Sequence, residues 1–138
     1  MIGIVAALQE EVDMVSGFMT DVTSFDKARS TFVSGKINNV DVTLVRCGVG
    51  KVNAAICTQI LIDCYGVDVV INVGVAGGLA KGLELGDIIL SKDTMQYDMD
   101  ATLSGCEPGE IPNMGGKKIF TADEKWLNLA KSAASALG

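Results

Sequence analysis

The sequence predicts an α/β fold with a mixed, mostly parallel central sheet flanked by helices. Three observations lead there. Ile2–Ala7 and Val67–Val73 are short and almost wholly apolar, as befits strands buried on both faces. Stretches of helical spacing lie between such runs. The pair Asn38-Asn39 separates two further extended runs, and two asparagines tolerate the positive φ angles of a two-residue hairpin turn, which makes the sheet mixed.

In chain order, the first strand Ile2–Ala7 leads into a helical pattern from Leu8 to about Met19. Ser30–Ile37 and Val40–Cys47 form the antiparallel pair. The loop Cys47-Gly48-Val49-Gly50 opens a helix from about Lys51 to Cys64, where Val52, Ala55, Ile56, Ile60 and Cys64 recur at helical spacing and Gly66 marks the stop. Strands at Val67–Val73 and Asp87–Ser91 follow, separated by a glycine-rich turn. From Lys92 to Lys118 the periodicity disappears and Pro108 and Pro112 enter, so a long loop is predicted, of the kind that usually serves function or contacts. The last helix, about Ala122 to Leu137, takes Thr121 as its N-cap with Glu124 three residues on. Five strands with only three helices leave apolar sheet uncovered. With a mean hydropathy of +0.36, this points to a subunit interface or a fold incomplete at its C-terminus, and incompleteness is the expectation.

Composition narrows the function. At 138 residues the chain is one domain. A net charge of −6 with scattered basic residues argues against nucleic acid as a partner. No apolar run approaches the about 18 residues of a membrane span. The first residues lack the basic start of a secretory signal, so the expected setting is cytoplasmic, with no membrane partner. Cys47, Cys57, Cys64 and Cys106 show no CxxC spacing, and three of them sit in apolar sequence, as reduced core thiols do. Histidine is absent, which removes Ser-His-Asp and Cys-His pairs and most zinc or iron sites; no metal and no cofactor is expected. Acid–base chemistry then falls mainly to carboxylates.

One carboxylate stands out. On a wheel of about 100° per residue, Leu8, Val12, Val15 and Met19 form the apolar stripe of the first helix, and Glu10 and Asp13 fall away from it. Glu11 lies at the stripe's edge, one turn from the end of the first strand, near the mouth where open α/β sheets bind ligands. Glu11 is open to two roles: a residue of a site, or a partly exposed acid stabilised by the helix N-terminus. The glycine motifs decide less. Gly48 and Gly50 are followed by Asn53 where the dinucleotide fingerprint needs glycine, and no Ser or Thr follows Lys51 as a P-loop requires. Gly48, Gly50, Gly77 and Gly78 serve tight turns as readily as ligand contacts.

Taken in order, "GIVAALQEEV", "CGVGKVNAA", "VDVVINVGVAGGL" and "LGDIILS" are more specific. The chain resembles the 5′-methylthioadenosine/S-adenosylhomocysteine nucleosidases, within the purine nucleoside phosphorylase and uridine phosphorylase family. The resemblance runs over residues 1–138 and covers the N-terminal portion of a single domain of nucleoside phosphorylase-like fold. It implies hydrolysis of the N-glycosidic bond between adenine and a 5′-thio-substituted ribose, with Glu11 as the base that activates water. It implies Val75, Ala76, Gly77 and Gly78 as the surface beneath the nucleoside, and Leu8 and Val49 as apolar walls near the ribose.

The resemblance also implies that "DMDATLSGCEPGEIP" is a loop reaching across a homodimer interface, where Asp100, Thr102, Gly105 and Pro112 fit the pattern. Ser104 stands in place of an aromatic and Cys106 in place of a frequent Tyr, so the 5′-substituent pocket is roomier or more polar. A futalosine-type nucleoside, or a non-catalytic nucleoside-binding or oligomerisation module, are the alternatives. Phosphorylases of the family hold phosphate with arginines and a hydroxyl. This chain has no Arg before Arg29, Asn72 where Arg is common, and Val75 without a hydroxyl, so water is the expected nucleophile. The family's catalytic acid and its ribose-gripping Met-Glu pair lie beyond Gly138, and the chain alone is expected to be inactive.

Overall fold

The computed structural model describes residues 1–137. The chain forms two compact units, Met1–Gly77 and one that begins at Gly78. In the first, β1 (Ile2–Ala6), α1 (Gln9–Ser16), β2 (Thr20–Lys27), β3 (Ser30–Ile37), β4 (Val40–Arg46), α2 (Lys51–Tyr65) and β5 (Val69–Val73) build a five-stranded sheet in the order β2-β3-β4-β1-β5. β1 is parallel to both β4 and β5, while β2 to β4 form an antiparallel meander. The predicted mixed α/β architecture is observed.

β1 lies central because it is apolar on both faces. Val5 points into a core with Phe32, Val45, Cys57, Leu61 and Val67, closed by α2. Ile4 and Ala6 point the other way, into a core with Val12, Met19, Val42 and Leu44, closed by α1. Gly3 lets α2 approach: a Cβ there would stand 3.1 Å from Leu61 Cδ1 and 3.2 Å from Val67 Cγ2. The predicted hairpin is present, with Asn38 and Asn39 at φ 49° and 65° and Ile37 opposite Val40.

The structure adds β2, which the sequence did not announce. Its eight residues are all exposed, so hydrophobic alternation had nothing to record. Its turn to β3 uses Ala28 and Arg29 at φ 50° and 65°, residues that carry no hairpin signal.

Several boundaries move. α1 ends at Ser16, not Met19, because the Phe18 and Met19 N–H groups bond three residues back, to Val15 and Ser16 at 3.1 and 2.9 Å, closing a tight turn that drops Met19 into the core. Cys64, expected in the core, is exposed and lies 2.9 Å from Lys27 Nζ. β5 is an edge strand with alternate residues exposed, Val70 among them, so apolar sheet is left bare as expected.

In the second unit the predicted strand Asp87–Ser91 does not form: no described residue pairs with it, and Ile88 and Ile89 are exposed. Apolar, β-prone residues make a strand only where a neighbour completes the ladder. The long loop is observed, and its ends are joined by a short antiparallel pair, β6 (Asp93–Thr94) with β7 (Phe120–Thr121). A single 3₁₀ turn, Thr102–Ser104, interrupts it. α3 (Glu124–Leu137) is capped by Asp123, whose Oδ1 accepts the Trp126 N–H at 3.2 Å; Thr121 is engaged in β7 instead. No helix of the described residues is long and apolar enough to cross a membrane.

Candidate active site

The parallel strands β4, β1 and β5 end together at one edge of the first unit, where the Cys47 N–H bonds the Ala6 carbonyl at 2.8 Å. α1 starts at this edge, two residues after β1. Leu8 is its extended N-cap, and Glu11 is the third residue of the helix, from which a carboxylate reaches back to the free N–H groups of the helix start.

Glu11 makes full use of that position. Its Oε2 accepts the Ala7 N–H at 2.9 Å and the Leu8 N–H at 3.0 Å; its Oε1 accepts the Val75 N–H at 3.2 Å, from a residue 64 positions away in the chain. These bonds hold the carboxyl below its ordinary value of 4.5, the Leu8 bond most, against partial burial, with Ala7 and Val75 adding to the effect. The result is an ionised acceptor at neutral pH. A carboxylate has about four acceptor positions. With three engaged, one remains, on Oε1.

Glu11 borders a cleft of about 240 Å³ that is also lined by Met14, Val15, Val73, Gly74 and Val75. The lining is apolar apart from the carboxylate, and Glu11 is its single titratable side chain among the described residues. Such a site can orient and polarise a water molecule beside an apolar surface. It offers no group that would donate a proton at neutral pH. Among the described residues no group of three or more His, Cys, Asp or Glu could hold a metal ion.

The predicted site residues divide between the two units. Leu8, Glu11 and Val75 meet directly, although Leu8 and Val75 act through backbone N–H groups as much as through their exposed side chains. Val49 sits on the loop after β4, its side chain exposed and its carbonyl held by Asn53 Nδ2 at 2.8 Å. Asn53 thus braces the loop that the failed dinucleotide fingerprint had marked. Ala76 and Gly77 lie open beyond Val75. Gly78, Ser104 and Pro112 belong to the second unit, with Ser104 exposed and Pro112 half-buried. Two participants escaped the sequence: Ala7, which contributes only its N–H, and Gly74, which contributes only space.

Residues 1–138 match the phosphorylase superfamily along their whole length. The chain belongs to that superfamily. It is 42% identical over 137 residues to the 5′-methylthioadenosine/S-adenosylhomocysteine nucleosidase of Haemophilus influenzae strain PittEE, covering 99% of this chain and 59% of the relative. The nucleosidase of Neisseria meningitidis, solved with methylthio-immucillin-A, superposes with a TM-score of 0.95 at 32% identity, over 99% of this chain and 58% of that one. The Colwellia psychrerythraea enzyme, solved with adenine, gives 0.93 at 36% identity, over 99% and 56%. This superfamily member therefore spans less than two thirds of the length of these relatives.

The lowered carboxyl has a consequence for stability. A group with a depressed folded value stabilises the fold above its unfolded value and ceases to do so as pH falls through the folded one. The stability difference between the unaltered chain and Glu11→Gln is expected to be full above about pH 5.5 and to shrink as pH drops below 4.5. Urea unfolding at pH 7, 5 and 3.5 measures it; a difference independent of pH would contradict the cradle.

Proposed function

We propose that this superfamily member carries the water-activating part of an N-glycosidic hydrolase acting on 5′-methylthioadenosine and S-adenosylhomocysteine, with residues 1–138 as the N-terminal portion of a single nucleosidase domain. The observation that carries the proposal is the ionised Glu11, held by three backbone N–H groups at the mouth of an apolar cleft. Water bonded to the free position of Oε1 attacks the anomeric carbon as the bond to adenine breaks. A carboxyl below its ordinary value is a weak base, and a weak base suffices when the ribose is already cationic in an oxocarbenium-like transition state. The negative charge then stabilises that cation as the water is delivered.

Water rather than phosphate is the proposed nucleophile because Asn72 and Val75 supply neither a cation nor a hydroxyl and the cleft lining holds no positive charge. The nucleoside lies against residues 75–77, with Leu8 and Val49 beside the ribose, while the loop that carries Ser104 and Pro112 serves the 5′-group pocket of the partner copy. The cleft has a base and no acid, so adenine would leave unprotonated. Loss of general acid catalysis alone costs about 10²- to 10⁴-fold. The purified 138-residue chain is expected to release no adenine from methylthioadenosine above background. Mixed with the remaining C-terminal part of a curated relative, it is expected to gain adenine release. Robust release by the chain alone, or none from the pair, would sink the proposal.

The proposed setting is the cytoplasm, and the proposed partner is a second copy of the chain. Val52 and Ile56, one turn apart on α2, are 72% and 45% exposed, more apolar surface than an isolated helix face usually leaves to water. Sedimentation is expected to show a dimer that Val52→Glu shifts toward monomer; a monomeric parent chain at high concentration would count against it.

A further inference from the structure

We infer that Gly74 is a positioning residue for the proposed reaction: its missing side chain seats Oε1 of Glu11 on the Val75 N–H and so fixes which oxygen faces the cleft. The inference rests on Glu11 as the water-activating base for its effect on turnover, but not for the geometry itself.

Glycine is not required at position 74 by the backbone. Gly74 has no left-handed φ, unlike Gly48, Gly50 or Gly66. What it lacks is room. A Cβ built there would stand 3.1 Å from Glu11 Oε1, 3.5 Å from Cδ and 3.6 Å from Oε2, lying against the face of the carboxylate. The nearest of these is closer than a carbon and an oxygen comfortably approach, so something would have to give by a few tenths of an ångström.

The three hydrogen bonds decide what gives. Oε2 is held at 2.9 and 3.0 Å by adjacent residues of one turn, Ala7 and Leu8. Oε1 is held by Val75 alone, already at 3.2 Å, so a small displacement takes that bond out of range. The terminal torsion of a glutamate is broad and two-fold, and donors on Oε2 alone leave it free to turn. The third donor removes that freedom. Gly74 thus allows the end of β5 to lock the orientation of a side chain on α1.

The test follows the Glu11 carboxyl and the amides of Ala7, Leu8 and Val75 by NMR through an acid titration of the 138-residue chain. In the unaltered protein all three amides are expected to shift with one midpoint, that of Glu11, below 4.5. In Gly74→Ala the Val75 amide is expected to stop following Glu11, and the midpoint to rise toward the ordinary value, while Ala7 and Leu8 continue to follow. Gly17→Ala is the control: Gly17 has an ordinary helical φ of −60° and its Cβ would meet nothing closer than 3.5 Å, so the titration is expected to stay as in the parent.

A Val75 amide that still tracks Glu11 with the same midpoint in Gly74→Ala would overturn the inference. In the complemented pair, Gly74→Ala is expected to lower kcat by about 10- to 10²-fold with KM little changed. An unchanged kcat beside a decoupled Val75 would overturn the role in the reaction. Near-normal turnover of Glu11→Gln would instead refute the base, leaving the NMR result to stand for the geometry.

Discussion

Glu11→Gln is expected to lower the kcat of adenine release by the complemented pair by about 10²- to 10⁴-fold, with KM changed only a few-fold. Two effects act together. The amide cannot hold a proton taken from water, and it lacks the negative charge that stabilises a cationic ribose. Glutamine also has one acceptor oxygen where Glu11 uses two. If that oxygen keeps the Ala7 and Leu8 N–H groups, the NH2 group must face the Val75 N–H, donor against donor. Val75 is then pushed from the position it holds at the cleft. Steady-state rates with methylthioadenosine measure the effect, and turnover within a few-fold of the parent would exclude Glu11 as the base.

Leu61→Ala is expected to destabilise the first unit by about 2–5 kcal/mol. Leu61 is fully buried in the core between α2 and the sheet, with Val5, Phe32, Val45 and Val67 around it, and its Cδ1 rests over Gly3 of β1. The central strand offers no side chain at Gly3 to fill the resulting void. Whole domains are stable by about 5–15 kcal/mol, so this one change is a large fraction of the total. Urea unfolding followed by circular dichroism measures it. Val22→Ala on exposed β2, where the side chain is 51% accessible, is expected to stay within about 0.5 kcal/mol of the parent. Equal shifts for the two variants would contradict the assigned core.

How much could be read beforehand varies by element, for physical reasons. β1 was legible because burial on both faces imprints an apolar run on residues 2–7, and the β3–β4 turn because Asn38 and Asn39 are suited to a positive φ. α2 was legible as a helix but not by its buried face, since Val52, Ala55, Ile56 and Cys64 of the expected stripe are exposed and Cys57 and Leu61 enter the core instead. β2 was not, because an exposed edge strand needs only main-chain partners and its turn uses Ala28 and Arg29. The strand expected at 87–91 shows the converse: Ile88 and Ile89 have high strand propensity, yet propensity without a neighbouring strand makes no ladder.

The site divides along the same line. Glu11 was legible as a carboxylate at the edge of an apolar stripe, and the structure places it both on the N–H groups at the start of α1 and in the lining of the cleft. Leu8 and Val75 were named for their side chains, whereas their N–H groups do the holding. A main-chain N–H looks the same at every residue, so no composition or spacing reveals where it points.

The sequence by itself determined which residues are apolar and at what period, hence the α/β class, a first strand buried on both faces, the hairpin and one acid at the edge of an apolar stripe. Only the tertiary structure decided that the Val75 N–H crosses 64 residues to reach that acid, and that a Cβ at Gly74 beside it would stand against the carboxylate. The reason is that periodicity records burial within a single element. The orientation of Glu11 is set by contacts between α1 and the end of β5, which come together only when β1 has placed them side by side.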